Sequence, residues 1–361
     1  MARILRTTPI QWFRTLTAKF SSCLRALLPL SIYMYQYNAN NETENQQVRT
    51  LQPFLFVLIE MATAETKAVG LFDVLPEGCV ANVLSFTSPS DACRSSSVST
   101  TFRSAADSDA VWDRFLPPEC ESIISRSADS SSLPFSSKKE LYLRLCDHPL
   151  LIDDGKKSFF LEKRSGKKCF MLSPKELLVV WIENPRYWKW TSLPDARFPE
   201  VAELISVCWL EIRGKISTCM LSPATLYATY LVFKPTTELY GFNYHPVEVT
   251  VGLVGAEVHK RMVYLDTEGG GSERSQIVRR RGIGLFNRAR ILGFPAPQPQ
   301  EIDDARYPKK RGDGWLEIEL GEFFNGEENG ELEMSVLELK GGHWKGGLIV
   351  QGIEIRAKES K

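Results

Sequence analysis

The segment WIENPRYWKW, residues 181–190, holds Trp181, Trp188 and Trp190, three of the chain's eight tryptophans, together with Tyr187, Pro185 and Arg186. Indoles at this density serve one of two ends, a packed core or an exposed aromatic surface that holds something. The residues alone leave both open, because Trp181 closes an apolar run, LLVVW, that must bury a face. Groups suited to covalent or acid–base chemistry are sparse by comparison. The four histidines (148, 245, 259 and 343) fall in four different segments, none of them in an H-E-x-x-H pattern, beside a G-x-S-x-G elbow or next to a cysteine in a nucleophile context. The eight cysteines form no C-x-x-C pair and have no histidine at zinc-ligand spacing, so no metal and no cofactor is expected. GIGLFN at 282–287 lacks the third glycine and the βα unit of a nucleotide loop, RGD at 311–313 reads as a charged turn, and Glu317 with Glu319 reads as the solvent face of a strand. The expectation is a protein that catalyses nothing.

The elements that must position these residues fall into two kinds. At 361 residues, 43% hydrophobic and 24% charged, the chain is long enough for two domains with cores of their own. Forty-four basic residues balance forty-four acidic ones, so no global field recruits nucleic acid or an acidic membrane surface. The runs RRR (279–281) and KKR (309–311) read as solvated loop charge, and scattered free thiols suit a reducing compartment. Residues 1–60 are set apart: basic and acid-free up to Asn41, with apolar stretches too short or interrupted to span a bilayer, they read as a disordered or spurious extension before Met61, with a transit peptide as the alternative.

From Leu71 to Pro118 the pattern is helical and predicts three short helices, started by Pro76, by Ser90 or Asp91, and by Ser108 or Asp109, and ended by Pro117 and Pro118. So small a core usually needs a partner surface. Residues 121–137 are so rich in serine that they read as a linker; a capping box, Ser137 with Glu140, then opens a helix with Leu141, Tyr142 and Leu145 on one face. Beyond His148 the period becomes that of strands: VEVTVGLV, GWLEIELGEFF, GELEMSVLEL and LIVQGIEIR alternate apolar with polar residues between Gly and Pro turns. The two helices expected here are SPKELLVVW, capped by Ser173, and FPEVAELI. The fold class is therefore α+β, a small three-helix module followed by a mainly antiparallel β-sandwich. The expected domains are 61–120, a linker and helix over 121–150, and a sandwich over 151–361.

The helical stretch resembles an F-box, the module by which ubiquitin-ligase substrate receptors dock on the Skp adaptor. The matching residues are Leu75-Pro76, Val83-Leu84, Pro89, Asp91, Val98-Ser99, Phe102-Arg103 and Trp112. The resemblance implies that Leu75, Pro76, Val83, Leu84, Val98, Phe102 and Trp112 form the adaptor-binding set. Ser95 and Ser97 stand where many F-boxes carry larger apolar side chains. From about residue 151 to 357, blocks such as LLVVWIENPRYWKW, VAELISVCWLEIRGKI, RGDGWLEIELGEFF and GELEMSVLEL resemble the phloem lectin family, phloem protein two, in its plant F-box subgroup. That implies a jelly-roll-like sandwich with carbohydrate-binding ancestry. In the lectins concerned, two tryptophans seven apart line the sugar site and a glutamate lies near it, which carries over to Trp181, Trp188 and Glu331. A sugar ring presents an apolar C–H face to which an exposed indole offers a rigid plane and one N–H donor. Trp190, Trp209, Trp315 and Trp344 are expected in core or sheet packing.

These resemblances imply the substrate-recognition subunit of a Skp–cullin–F-box ubiquitin ligase in the plant nucleus and cytoplasm, or in an organelle if residues 1–60 act as a transit peptide. Its partners would be a Skp-type adaptor, through it a cullin, and a target protein or N-glycan containing N-acetylglucosamine. The alternative is a carbohydrate-binding lectin with a vestigial F-box.

Overall fold

The computed structural model of the chain describes residues 75–127, 135–242, 245–256, 258–266, 306–326, 329–339 and 342–358. The expectations for residues 1–60, for RRR and GIGLFN, and for the middle of the serine-rich stretch lie outside these residues. The described chain divides into two compact units, one of them comprising the residues up to Thr87 and Asp91–Val111, the other Ser88–Ser90 and everything from Trp112 onward.

In the smaller unit, Pro76 fixes the backbone at φ −55° and opens helix α1 (Glu77–Leu84). The second expected helix proves to be two, α2 (Pro89–Ser95) and α3 (Thr100–Asp107). The break follows from the serines between them. The hydroxyls of Ser95, Ser96 and Ser97 turn back onto the carbonyls of Asp91, Cys93 and Arg94 at 2.8, 2.7 and 2.8 Å. Such bonds offer the backbone an alternative to the helical ladder. Ser99, in extended conformation, then caps α3 by accepting from the Phe102 N–H at 3.2 Å. α1 packs on α3, burying Val80, Ala81 and Leu84 on one and Ala105 and Ala106 on the other, and Ser104 Oγ donates to Glu77 at 2.8 Å. Helix α4 (Asp109–Phe115) carries the division between units.

The larger unit begins with helices that the sequence assigns elsewhere. Trp112 is fully buried, its ring 5.1 Å from Tyr142 and edge-on to Phe115 at 5.5 Å. Helix α5 (Cys120–Ser125) occupies the start of the expected linker, because Cys120 and Ile123 bury on one side despite the serines around them. Ser127 then bridges to Ile152, and Arg126 grips the Asp153 carboxylate at 2.7 Å. Helix α6 (Lys138–Asp147) starts on the expected box: Ser137 Oγ accepts from the Glu140 N–H at 3.2 Å, while the Glu140 carboxylate accepts from the Ser136 N–H at 2.8 Å. Its buried face is Leu141, Tyr142 and Leu145, and the Tyr142 hydroxyl donates to the carbonyls of Glu162 and Lys163.

The rest is two antiparallel sheets. The first runs β1 (Leu150–Ile152), β2 (Lys157–Leu161), β3 (Lys168–Leu172), β14 (Gly346–Ala357), β8 (Thr225–Tyr240), β12 (Leu316–Asn325) and β11 (Lys309–Lys310), with β6 (Val201–Leu204) on the first half of β14 and β5 (Trp188–Thr191) outside it. The second runs β10 (His259–Val263), β9 (Val247–Leu253), β13 (Glu331–Glu338), β7 (Leu210–Ser217) and β4 (Leu178–Val179). The expected alternation holds: Leu210, Ile212 and Ile216 of β7 and Leu316, Ile318 and Leu320 of β12 are buried, their neighbours half-buried or exposed. The sheets approach at Gly214 of β7, where a Cβ would meet Leu177 Cδ2 at 2.9 Å and Leu172 and Ile353 of the first sheet at 3.3 Å. One core cluster comprises Met171, Phe198, Val201, Val232 and Trp315.

Two expected helices are absent. SPKELLVVW forms a turn, with the Ser173 carbonyl accepting from the N–H groups of Glu176 and Leu177, followed by β4. FPEVAELI forms β6, paired on both sides. In both, strand neighbours override a local pattern with good caps, and the β-branched Val179 and Val201 suit the outcome. A carboxylate also lies inside the first sheet: Glu354 of β14, buried, contacts Arg197 at 2.9 Å, Arg311 at 3.1 Å and Arg356 at 3.3 Å. Burial pushes its pKa up, but the three guanidiniums outweigh that and hold it below the usual carboxylate range.

Candidate functional site

Trp181 ends a short connection leaving β4. The Val180 N–H donates to the Glu211 carbonyl at 3.1 Å, tying this connection to β7, and Trp181 follows at φ 62°. That left-handed angle is a true outlier for a bulky residue, maintained only where surroundings over-determine it. They do so here. The Trp181 carbonyl accepts from Asn184 N–H at 2.9 Å, the Asn184 carbonyl from Tyr187 and Trp188, and Asn184 Oδ1 from Arg186 N–H at 3.1 Å. The loop is thus a stack of tight turns around Asn184.

The turns deliver three rings to one place. Trp181, 40% exposed, lies 5.2 Å from the half-buried Tyr187 and meets Trp209, 45% exposed, edge-on at 6.2 Å. Trp188 is not part of this surface. It is 3% exposed, and its indole N–H donates inward to the Val180 carbonyl at 3.1 Å, one residue before Trp181. The expected pair is therefore split by role: Trp181 faces solvent and Trp188 supports it from beneath, because the seven-residue spacing spans a reversing loop and not one face of a helix. Trp209, assigned to packing on sequence, takes the outward place. The signal that could have found it is the strand phase of LEIRGKI, which turns Leu210 inward and so Trp209 outward.

Glu331 is not brought to the aromatic rings. It pairs with Ser217 at the far end of β7, whereas Trp209 precedes Leu210, which pairs with Glu338. Eight chain positions, from Trp209 to Ser217, at the usual strand rise separate them by roughly 26 Å. Glu331 instead holds Lys215 at 3.0 Å. Of the other tryptophans assigned to packing, Trp315 is buried, with its N–H donating to the Asp195 carbonyl at 2.9 Å, and Trp190 is half-buried beneath the Lys175 ammonium at 5.7 Å. Trp344 is exposed.

The second candidate surface is on the helical unit. Pro76 and Val98 are exposed, Leu75, Val83 and Phe102 half-buried, and Leu84 buried against the unit's own core. Trp112 is interior to the larger unit. Phe86, 67% exposed just beyond α1, is an apolar surface residue that motif matching overlooked. Ser95 is buried with its hydroxyl satisfied internally, and Ser97 is exposed.

Burial pushes the thiol of Cys120 up to about 11 and those of Cys146 and Cys169 up to about 12, so all three stay protonated at neutral pH. No group of three or more His, Cys, Asp or Glu able to hold a metal occurs among the described residues. No helix among them is long and apolar enough to cross a membrane.

Comparison with known proteins matches residues 72–114 to the F-box domain and residues 167–357 to phloem protein 2. Among curated proteins of Arabidopsis thaliana, F-box protein At2g02240 is 51% identical over 290 residues, covering 80% of this chain and 81% of that protein. F-box protein PP2-B1 is 44% identical over 310 residues, covering 80% and 90%, and F-box protein PP2-B10 is 46% identical over 288 residues, covering 79% and 93%. Among solved structures, a Podospora anserina GH26-CBM35 beta-(1,4)-mannanase aligns at a TM-score of 0.26 and 10% identity over 54% of this chain and 28% of that one, too slight a likeness to carry an argument.

Proposed function

The chain belongs to the phloem protein 2 family, in the form that carries an F-box ahead of that domain, and from this premise we propose that it recruits glycan-bearing target proteins to a Skp–cullin–F-box ubiquitin ligase. The F-box implies a substrate-recognition role through a Skp-type adaptor, and the domain after it is lectin-like. The ligand is an N-glycan or oligosaccharide with N-acetylglucosamine, stacked on Trp181 and Trp209 and edged by Tyr187. The chain contributes binding and no catalysis, and works in nucleus and cytoplasm.

One observation carries the reading. Trp181 is held exposed at a strained backbone angle by a loop whose turns, inward-facing Trp188 and strand tether all serve to keep it there. Strain of this kind costs on the order of 1–3 kcal/mol and clusters at ligand-binding positions. A rigid, exposed indole edged by a second indole is what a sugar ring's C–H face requires. On the helical unit, Pro76, Phe86 and Val98 offer the apolar exposure that an adaptor would bury.

The test is binding measured separately at each end. Calorimetry should show the full chain binding N-acetylglucosamine oligomers, with Trp181→Ala abolishing the signal, and binding a Skp-type adaptor, with Pro76→Ala plus Val98→Ala weakening it. Sugar binding without adaptor binding would support the lectin with a vestigial F-box. Adaptor binding without glycan binding would leave target choice to protein contacts.

A further inference from the structure

Three consecutive serines close α2 and lead toward α3, and the fold gives them unequal access. Ser95 is 3% exposed, Ser96 is half-buried and Ser97 is exposed. Ser99, the next hydroxyl of the run, is half-buried, and its oxygen is engaged by the Phe102 N–H as the cap of α3. Of these four, Ser97 is the one that joins an open hydroxyl to a backbone outside both helices. Residues 96–98 form a turn in which the Ser97 N–H and Oγ both donate to the Arg94 carbonyl, at 3.2 and 2.8 Å. A hydroxyl bond at the surface breaks at little cost, because water replaces it.

Arg94 stands three residues ahead of Ser97. It is paired with Asp91 at 3.2 Å, but its side chain is 55% exposed, so solvent keeps that pair weak. Arg94 and Arg103 are the two cations of residues 75–111. One residue beyond Ser97 is Val98, 43% exposed, which the docking reading above sets against the adaptor.

We infer that Ser97 is a phosphorylation site, addressed through Arg94 by an arginine-directed protein kinase, and that its phosphate releases the Skp-type adaptor. The release rests on the docking reading; the site does not. The kinase brings a magnesium-bound nucleoside triphosphate, a base, and carboxylates that take the Arg94 guanidinium from Asp91. Ser97 Oγ bonds to the γ-phosphorus, its proton passes to the base, the bond to the β–γ bridging oxygen breaks, and the nucleoside diphosphate leaves. The product carries about −1.5 to −2 charges at neutral pH. Beside Val98 this hydrated group enters the apolar surface that the adaptor must dry, and Arg94, at the surface and already paired, neutralises it only in part.

The experiment incubates the full chain with Mg-ATP and a recombinant arginine-directed serine kinase, maps the phosphate by fragment mass spectrometry, and titrates the product with a purified Skp-type adaptor and with N-acetylglucosamine oligomers. The phosphate should fall on Ser97 and not on Ser95 or Ser96, and Arg94→Ala should slow labelling about tenfold. Adaptor affinity should fall about tenfold or more on phosphorylation, with oligomer binding unchanged. Ser97→Ala should bind the adaptor as the wild type does and ignore the kinase, while Ser97→Glu should reproduce part of the loss with an unaltered melting curve. Labelling that spares Ser97, or that Arg94→Ala leaves at full rate, overturns the site. Full adaptor affinity after stoichiometric phosphorylation overturns the release. A wild-type chain that never binds the adaptor overturns the docking reading and the release with it, and the phosphate map still decides the site.

Discussion

Trp181 and Trp188 do opposite things seven residues apart, and their substitutions should part accordingly. Trp188 fills space and secures the Val180 carbonyl, so Trp188→Ala leaves a cavity and a bare acceptor and should cost about 3–5 kcal/mol in chemical denaturation. Trp181 is strained and half in solvent, so Trp181→Gly removes the unfavourable left-handed angle. Its melting temperature should equal or exceed that of the wild type while glycan retention is lost; a marked drop in melting would show that Trp181 is core after all. The tryptophan content and spacing of this segment were legible in the sequence. Which indole faces outward was not, because that depends on a loop whose turns are closed by the backbone carbonyls of Trp181 and Asn184. Glu331 shows the same limit, since its distance from the aromatic rings is set by the register of β13 on β7.

At the level of elements, the strands announced themselves by alternation and the capped helix α6 by its box, while β4 and β6 were hidden under helical signals that only their partners β7 and β14 overrule. The serines at 95–97 concealed a helix break for a related reason, their hydroxyls competing with the ladder once the helix had begun. The sheet's buried charge yields a test of its own. Glu354 ionises at lower pH when folded than its ordinary value of 4.5, because Arg197, Arg311 and Arg356 outweigh the cost of burying it. Its contribution to stability is therefore fully present above the unfolded-state pKa and lost as pH falls through the depressed folded value. Glu354→Gln should destabilise the domain by about 3–5 kcal/mol at neutral pH by leaving Arg197 without a carboxylate and Arg311 and Arg356 to share Glu317, and should flatten the acid limb of the stability profile. An acid limb identical in wild type and variant would contradict this.

At the scale of the whole molecule, the two proposed binding activities share one chain, and each should fail alone. The helical unit presents Pro76, Phe86 and Val98, and Phe86→Ala should weaken a Skp-type adaptor by about 1–2 kcal/mol while sparing the glycan signal. The family and the order of its two domains were legible in short blocks such as LPEG and WIENPRYWKW; the division between units was not, because Trp112 belongs to the helical motif in sequence and packs on Tyr142 of the larger unit. The most direct measurement of the central claim is retention of a purified Skp-type adaptor on immobilised N-acetylglucosamine oligomers. With the full chain present the adaptor should be retained; with Trp181→Ala both chain and adaptor should pass through; with Pro76→Ala plus Val98→Ala the chain should stay and the adaptor pass through. A wild-type chain that stays on the matrix and leaves the adaptor in the flow-through, or one that binds the adaptor and never the matrix, would contradict the account.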